Sequence, residues 1–325
     1  MKIVVLGAGG WGALVGAYLA QAGADVTLLF RRQAHVDEIN KNGGRLLIEK
    51  PDGDTFVPVT ATTDPSEVKE ADLMIVAVKN HDTPTALQSV KHMHVKAVAS
   101  VQNGLGHGER FQQIFPEAEI LRIVSRVAGS LINYGKVHRG DDDFPTWIGN
   151  PFKGITPFVK EVVELFNKAG LPCEASKDIE GVEWCKVVWW TPSSISAVLA
   201  RLPQTEVMQS PDFAHLMVMI TRDMVKVAHA LGVEIKDYET IEVMDRCTGS
   251  IEEGVQNVIR HGNEWEERGG KGYKQAMLLD IERERKTEIE DTGGYIWRIA
   301  QEKGISVPYL DAGYRVVSGL ETRFE

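Results

Sequence analysis

The feature that most constrains the fold is a glycine-rich hexapeptide that follows the first apolar segment. Lys2–Leu6 is typical of a buried strand, and Gly7-Ala-Gly-Gly-Trp-Gly12 comes next, at the start of a helical pattern. In a strand–turn–helix unit, the first glycine of GxGxxG forms the tight turn, the second admits a pyrophosphate, and the third packs the helix on the strand. The helix N-terminus adds N–H donors and partial positive charge. We therefore predict a dinucleotide site at Gly7, Gly9, Gly10, Trp11 and Gly12.

The rest of the N-terminal half alternates short apolar segments with amphipathic ones. Strands are predicted at 25–30, 73–78, 97–101, 120–124 and 147–148, and a hairpin at 45–59. Strands that alternate with helices indicate a parallel sheet with helices on both faces, the doubly wound α/β fold of the Rossmann type. We expect this dinucleotide-binding domain to occupy residues 1–176.

From residue 177 to residue 325 the pattern is helical, which predicts a second, all-α domain. Long helices are expected at 179–200, 211–231, 250–265, 273–303 and 308–320, with glycines between several of them as helix ends. The chain length of 325 residues also favours two domains.

Composition argues against several classes of protein. The formal net charge of −10 disfavours non-specific binding of nucleic acid or anionic lipid. No apolar run reaches the roughly 18 residues that span a bilayer, and the N-terminus lacks the pattern of a signal peptide. The three cysteines are far apart and fit neither a disulfide framework nor a zinc site. We expect a reduced, cytoplasmic protein without nucleic-acid or membrane partners.

Two polar clusters could suggest a metal, and neither supports one. His92-Met-His94 has no third ligand nearby in the sequence, and Asp141-Asp-Asp143 is typical of a solvated loop. No metal is therefore predicted.

The end of the second strand bears on which dinucleotide binds. NAD sites usually place an acidic residue there to bind the ribose 2′-hydroxyl, whereas NADP sites need cations for the 2′-phosphate. Here the strand continues into Arg31-Arg32, and the next acidic residue is Asp37. A guanidinium can hold a phosphate through two hydrogen bonds. We predict NADP(H), with Arg31 at the phosphate, over the alternative that both arginines are solvated.

Two more polar residues follow predicted strands. Lys79 comes after Val76-Ala-Val78, and Asn103 lies in Ser100-Val-Gln-Asn-Gly-Leu-Gly106. An open α/β sheet binds its ligands at the carboxyl ends of its strands, so both side chains could reach cofactor or substrate. Position alone leaves open that each is an ordinary loop residue.

These motifs occur in one order with Trp184-Cys-Lys186, Arg285-Lys-Thr-Glu-Ile289 and Gly304-Ile-Ser-Val-Pro308. So ordered, the chain resembles the ketopantoate reductase (2-dehydropantoate 2-reductase) family over nearly its whole length. The resemblance implies a Rossmann domain followed by an all-helical domain like the C-terminal one of 6-phosphogluconate dehydrogenase, with the substrate in the cleft between them. A homodimer through the helical domain is expected on the resemblance alone.

The resemblance also implies a reaction, the reduction of a 2-oxo acid by NADPH. Lys186 would be the catalytic lysine and Glu288 the acidic substrate-binding residue, with Asn103 near the nicotinamide and Lys79 in the same cleft. Hydride addition builds negative charge on the carbonyl oxygen, which an ammonium group can stabilise and protonate. The helical pattern alone would also allow Lys186 to pair with Glu183, and Glu288 to be a surface acid.

Four positions depart from the family pattern. Aligned without a gap, Trp190 and Ser194 replace asparagines four and eight residues after the lysine. Ala276 and Gly293 replace a serine twelve residues before the glutamate and an asparagine five after it. Trp190 shares a helix face with Lys186, although it could equally belong to the core. Because a site that loses its hydrogen-bonding groups loses selectivity for what they bound, we expect a ketone bulkier or more apolar than ketopantoate.

Two other functions stay open. One is an NADPH-binding regulatory or redox-sensing protein without turnover, which the altered positions allow and the retained Lys186 and Glu288 disfavour. The other is a different Rossmann-plus-helical hydroxy-acid dehydrogenase, and the motifs around Lys186 and Glu288 argue against it.

Overall fold

The computed structural model describes residues 1–50, 53–140 and 145–324. They form two compact units. The sheet unit comprises Met1–Gln102 and Gly106–Ile179, and the helical unit comprises Asn103–Leu105 together with the residues from Glu180 onward. The predicted Asp141–Asp143 loop lies outside the described residues.

The sheet unit is built from strands and five α-helices. Its strands are β1 Lys2–Leu6, β2 Asp25–Leu29, β3 Arg45–Glu49, β4 Thr55–Pro58, β5 Thr60–Thr62, β6 Glu70–Val76, β7 His94–Ser100, β8 Glu119–Ser125, β9 Gly129–Asn133, β10 Lys136–Arg139, β11 Thr146–Gly149 and β12 Cys173–Ala175. Its helices are α1 Gly10–Gln21, α2 Gln33–Lys41, α3 Thr83–Val90, α4 His107–Ile114 and α5 Pro157–Lys168.

The main sheet has the strand order β12-β11-β8-β7-β6-β1-β2-β5. Every pairing in it is parallel except that of β11 with β8. The predicted Rossmann-type α/β fold is confirmed, with the correction that the sheet is not wholly parallel. Strand β1 lies in the interior of the sheet, between β6 and β2, and its residues are apolar on both faces. Ile3 and Val5 enter one core and Val4 and Leu6 the other, as alternate residues of a strand covered on both faces do.

A second sheet has the order β4-β3-β10-β9. The predicted hairpin at 45–59 is confirmed, because β3 and β4 pair antiparallel with Leu46 opposite Val57. Strand β10 pairs with β3 in parallel, with Val137 opposite Ile48. This pairing was not predicted from the sequence.

The helical unit confirms the predicted all-α second half. Its helices are α6 Ile179–Ala200, α7 Gln204–Gln209, α8 Pro211–Ala230, α9 Met244–Cys247, α10 Ile251–Trp265, α11 Ala276–Glu282, α12 Gly293–Lys303 and α13 Pro308–Glu321. Among the described residues, no helix combines the length and apolar character that crossing a membrane would require.

The single helix expected at 273–303 is wrong, since α11 and α12 are separate. Two residues after the end of α11, Glu284 has φ +52°, a left-handed conformation that residues other than glycine and asparagine rarely adopt. The N–H of Arg285 donates to the carbonyl of Asp280 at 2.9 Å, and that of Glu284 to Ile281 at 3.1 Å. This is the hydrogen-bond pattern of a Schellman motif. Glu288 consequently lies in the non-helical segment before α12.

Candidate active site

The turn between β1 and α1 has the backbone geometry that the glycine motif predicts. Gly7 has φ +93°, and an ideal Cβ there would lie 2.8 Å from the backbone nitrogen of Val78. The N–H groups of Gly7 and Ala8 donate to the carbonyl of Leu29 at 3.3 and 3.0 Å, which ties the turn to the end of β2. At Gly12, a Cβ would lie 2.5 Å from the carbonyl oxygen of Gly7. Both positions therefore require glycine.

Gly9 and Gly10, the two central glycines, differ in what surrounds them. A Cβ at Gly9, the N-cap of α1, would meet only the carbonyl oxygen of Gly7, at 4.0 Å, so space is open there. A Cβ at Gly10 would lie 2.2 Å from the carbonyl oxygen of Gly129 in β9. The start of α1 thus packs backbone to backbone on the second sheet, a contact that the sequence analysis missed.

Trp11 is fastened at the first turn of α1. Its indole N–H donates to Ser125 Oγ at 3.2 Å, at the end of β8, and Ser125 Oγ lies 3.0 Å from Thr146 Oγ1. The ring is half-buried against the core beside β1. This anchoring positions the first turn of the helix, whose N–H groups point away from the helix body.

Arg31 lies at the end of β2, exposed and paired with an acid. Its Nη1 is 3.3 Å from Asp82 Oδ2, in the turn that follows Lys79. Arg32 is the N-cap residue of α2 and is also exposed. Arg31, the cation predicted to bind a 2′-phosphate, is therefore accessible to solvent and lies beside the carboxylate of Asp82.

The loops after β6 and β7 are held together by Gln102, which the sequence analysis did not single out. Its side-chain NH2 group donates to the carbonyl of Val78 at 2.8 Å and to Thr83 Oγ1 at 2.6 Å. Arg122, 1% exposed, donates to the carbonyls of Ser100 and Gln102 at 3.1 and 2.9 Å. These bonds fix the loop positions that flank Lys79 and Asn103. A glutamine and an arginine inside apolar segments were the only sequence signal for this role.

In the helical unit, Asn103 joins the two predicted catalytic residues. Lys186 Nζ donates to Asn103 Oδ1 at 2.9 Å, and Asn103 Nδ2 donates to Glu288 Oε2 at 3.1 Å. A lysine can only donate and a carboxylate only accepts, so the two partners dictate which way the amide points. Lys186 is half-buried on α6, and Glu288 is 7% exposed.

The short segment that carries Asn103 is held against the segment that carries Glu288. The N–H of Leu105 donates to the carbonyl of Asp291 at 3.0 Å. Gly104 has φ +114°, and a Cβ there would lie 2.4 Å from the same carbonyl oxygen. Only glycine allows this approach, which explains the Asn-Gly pair at 103–104.

The four positions that depart from the family pattern have different surroundings. Trp190, half-buried on α6, donates its indole N–H to Gln275 Oε1 at 3.0 Å, and Gln275 is buried. Ala276, predicted as a substrate-pocket position, is exposed. Ser194 is fully buried, and its Oγ has no hydrogen-bond partner among the described residues. A Cβ at Gly293 would contact Ile289 and Thr191 side chains at 3.2 and 3.3 Å, so Gly293 lies in a packed interior.

Comparison with known proteins bears on this arrangement. The family model described as ketopantoate reductase PanE/ApbA matches residues 3–151, and the model for the C-terminal part of that family matches residues 178–321. The chain belongs to the ketopantoate reductase family. The resemblance noted in the sequence is thereby confirmed.

Individual members of the ketopantoate reductase family are similar along the whole chain. The 2-dehydropantoate 2-reductase of Pyrococcus abyssi is 31% identical over 325 residues, covering 99% of this chain and 98% of that one. The enzyme of the same name from Pyrococcus horikoshii is 29% identical over 317 residues, covering 95% and 93%. The crystal structure of a PanE/ApbA family ketopantoate reductase from Ralstonia eutropha JMP134 superposes with a TM-score of 0.81 at 27% identity, covering 99% of both chains.

His92, one of the two histidines considered for a metal, contacts backbone carbonyl groups. His92 Nε2 lies 3.1 Å from the carbonyl oxygens of Pro65 and Val68, at the turn before β6. Within residues 1–50, 53–140 and 145–324, no three histidine, cysteine or acidic side chains come together in a way that could hold a metal ion.

Proposed function

We propose that the chain is a nicotinamide-dependent reductase that converts a 2-oxo acid or a related ketone to the hydroxy compound, with NADPH as the preferred reductant. The observation that carries the proposal is the chain of hydrogen bonds Lys186–Asn103–Glu288, which presents an ammonium group and a carboxylate at the two ends of one amide. Family membership and the name 2-dehydropantoate 2-reductase of the relatives support the same reaction class.

The residues at the start of α1 suit a dinucleotide. The left-handed turn at Gly7 and the open space at Gly9 leave room for a pyrophosphate beside the N-terminus of α1, where Gly10, Trp11 and Gly12 form the first turn. When bound, the reduced nicotinamide supplies the hydride. We assign the 2′-phosphate to Arg31, whose guanidinium is exposed, and the nicotinamide-side contacts to Lys79 and Asn103.

Lys186 is assigned the role of general acid. Its ammonium group stabilises the charge that develops on the substrate carbonyl oxygen and transfers a proton to that oxygen, and the lysine then recovers a proton from solvent. Asn103 Oδ1, 2.9 Å away, holds Nζ in position. Glu288 accepts from Nδ2 and so fixes the amide, and we assign its carboxylate to a substrate hydroxyl.

The substrate is proposed to be bulkier or more apolar than ketopantoate. Trp190 places an indole one helical turn from Lys186, and its N–H is already bonded to Gln275. Neither Ala276 nor Gly293 supplies a polar side chain. An indole face favours an aromatic or branched substituent over a small polar one.

The test is a substrate panel with NADPH, read by loss of the reduced-nicotinamide absorbance. Ketopantoate is compared with larger 2-oxo acids such as phenylglyoxylate, and each is run with wild type, Lys186→Ala and the exposed-lysine control Lys303→Ala. We expect the larger acids to be turned over more efficiently, and Lys186→Ala to lose about 10²–10⁴ in rate while the control is unchanged.

Three outcomes would contradict parts of the proposal. Efficient turnover of ketopantoate alone would refute the bulkier substrate. Equal rates for Lys186→Ala and wild type would refute the assignment of the general acid. NADPH binding without turnover of any ketone would favour a regulatory NADPH-binding protein instead. The homodimer and the cytoplasmic location stay predictions.

A further inference from the structure

The hydrogen-bonded pair of Trp190 and Gln275 lies close to the proposed general acid. Trp190 follows Lys186 by four residues on α6, so it lies on the same helix face about 6 Å along the axis. Gln275 is the N-cap residue of α11 and is 7% exposed. Its Oε1 accepts the indole N–H at 3.0 Å.

The bond fixes the direction of the glutamine amide. An indole N–H can only donate, so the oxygen of Gln275 must face Trp190 and the NH2 group must face away from it. That NH2 group makes no hydrogen bond to any residue that the structure describes. The amide oxygen of this buried side chain is bonded to Trp190, and its two N–H donors are available for a ligand.

The pair differs in chemistry from what the family pattern would place there. An asparagine at position 190 would offer both a donor and an acceptor to a substrate, whereas Trp190 has one N–H, and that N–H is used by Gln275. The indole therefore offers a ligand its apolar face alone, and the donor function lies on Gln275. Ala276, next in sequence, contributes no polar atom.

We infer that Gln275 is a specificity-determining residue whose side-chain NH2 group binds the carboxylate of a 2-oxo acid, while the ring of Trp190 contacts the apolar substituent of the same substrate. The inference rests on the proposed function. An uncharged amide suits this place because it donates to an anion without adding a second positive charge beside Lys186. A hydrogen bond from a neutral donor to a carboxylate is also stronger than one to a neutral acceptor.

The competing explanation is that Gln275 only ties the start of α11 to α6. The variant Gln275→Glu separates the two explanations, because a carboxylate keeps the acceptor for the indole N–H, removes both donors and adds a negative charge. The hydrogen bond that links α11 to α6 is kept in this variant, whereas the NH2 group that would bind the substrate carboxylate is lost. The matched control is Gln301→Glu, the same change at an exposed position of α12.

Steady-state kinetics with NADPH would compare phenylglyoxylate, which is anionic, with its uncharged methyl ester. For Gln275→Glu we expect KM for the acid to rise about 10- to 100-fold and KM for the ester to change less than about threefold. Gln301→Glu should match wild type with both substrates. NADPH affinity and the melting temperature, measured on each variant, report whether the fold is intact.

A second variant keeps the inference testable if Gln275→Glu does not fold. Trp190→Phe retains an aromatic ring but frees the glutamine amide to rotate, so KM for the acid should rise about 3- to 10-fold with little change for the ester. Equal changes for acid and ester in either variant would overturn the inference and leave the proposed function standing. A wild-type enzyme that reduces no 2-oxo acid would overturn the proposed function, and the inference with it, before any variant is made.

Discussion

Replacing Gly10 with alanine tests the backbone contact between α1 and β9. An ideal Cβ would lie 2.2 Å from the carbonyl oxygen of Gly129 and 2.7 Å from the Cα of Ser130. Non-bonded atoms are relaxed at about 3.5 Å, so the two elements must separate by roughly 1 Å. Overpacking costs about 1–3 kcal/mol, and alanine recovers about 0.5–1 kcal/mol over glycine in a helix. Because both contacts are with backbone atoms, which cannot move aside as a flexible side chain can, we expect the overpacking cost to lie near the upper end of this range. The net loss in the free energy of unfolding is then about 2 kcal/mol.

Gly9→Ala is the matched variant one residue earlier. Its φ of −74° suits alanine, and the new methyl group would meet only one protein atom, at 4.0 Å. Alanine is a poorer N-cap than glycine, so a loss of up to about 1 kcal/mol is expected. The methyl group would, however, occupy the space proposed for the pyrophosphate. We expect the Kd for NADPH to rise about 10- to 100-fold, as losing one charge-assisted hydrogen bond would cause.

Two measurements on wild type and both variants test these expectations. In urea unfolding followed by tryptophan fluorescence, the midpoint should fall clearly for Gly10→Ala and only slightly for Gly9→Ala. In NADPH titration, the Kd should rise mainly for Gly9→Ala. A wild-type urea midpoint for Gly10→Ala would show that α1 and β9 are not in close contact. Wild-type NADPH affinity for Gly9→Ala would show that the pyrophosphate does not approach this residue.

Other predictions concern the cofactor and the stability of the fold. Arg31→Ala should raise the Kd for NADPH about 10- to 100-fold and leave that for NADH within about threefold, measured by titration; equal changes would rule out a phosphate contact. Asp223→Ala should cost about 2–3 kcal/mol in urea unfolding, because its buried carboxylate accepts from two N–H groups at the start of α13. The exposed Asp212→Ala, on the same helix, should cost little, and equal losses would contradict the cap. Burial holds the pKa of His35 and of His261 below the ordinary 6.5. Near pH 6 the unfolded chain therefore binds protons that the folded chain does not. The urea concentration at the unfolding midpoint should be lower at about pH 5.5 than at about pH 7.5, and equal midpoints at the two pH values would refute this.

Sequence patterns within a few residues correctly predicted single helices, single strands and a hairpin between neighbouring strands. The bounds of α6 were predicted to the residue, and β1 and the hairpin of β3 and β4 were also found where expected. The pairing of β10 with β3 was not predicted. The two strands are far apart in the chain, and no local pattern in either strand indicates which strand it pairs with. The close approach of Gly10 to Gly129 was missed for the same reason.

The segment around Glu288 shows where local signals mislead. The chain leaves α11 through Glu284, which is in a left-handed conformation at a position where glycine is the usual signal. Without that glycine, the charged stretch that follows has the pattern of a continuing helix. Residue 276 was predicted as a substrate-pocket position from its spacing of twelve residues before Glu288 in the family pattern. The structure instead brings Gln275, the residue just before the true helix start, to Trp190. A shift of one residue along a helix turns the side-chain direction by about 100°.

The candidate site contains two hydrogen-bonded sets that can change separately. Lys186, Asn103 and Glu288 are coupled, because replacing any one of them removes a hydrogen bond from a neighbour in the set. Trp190 and Gln275 depend on each other in the same way. Under the proposed roles, substitution within the second pair would alter which ketone binds and leave Lys186 and Glu288 in place. This separation is the physical reason to expect that a chain with altered residues at 190 and 276 still carries out the proposed hydride transfer.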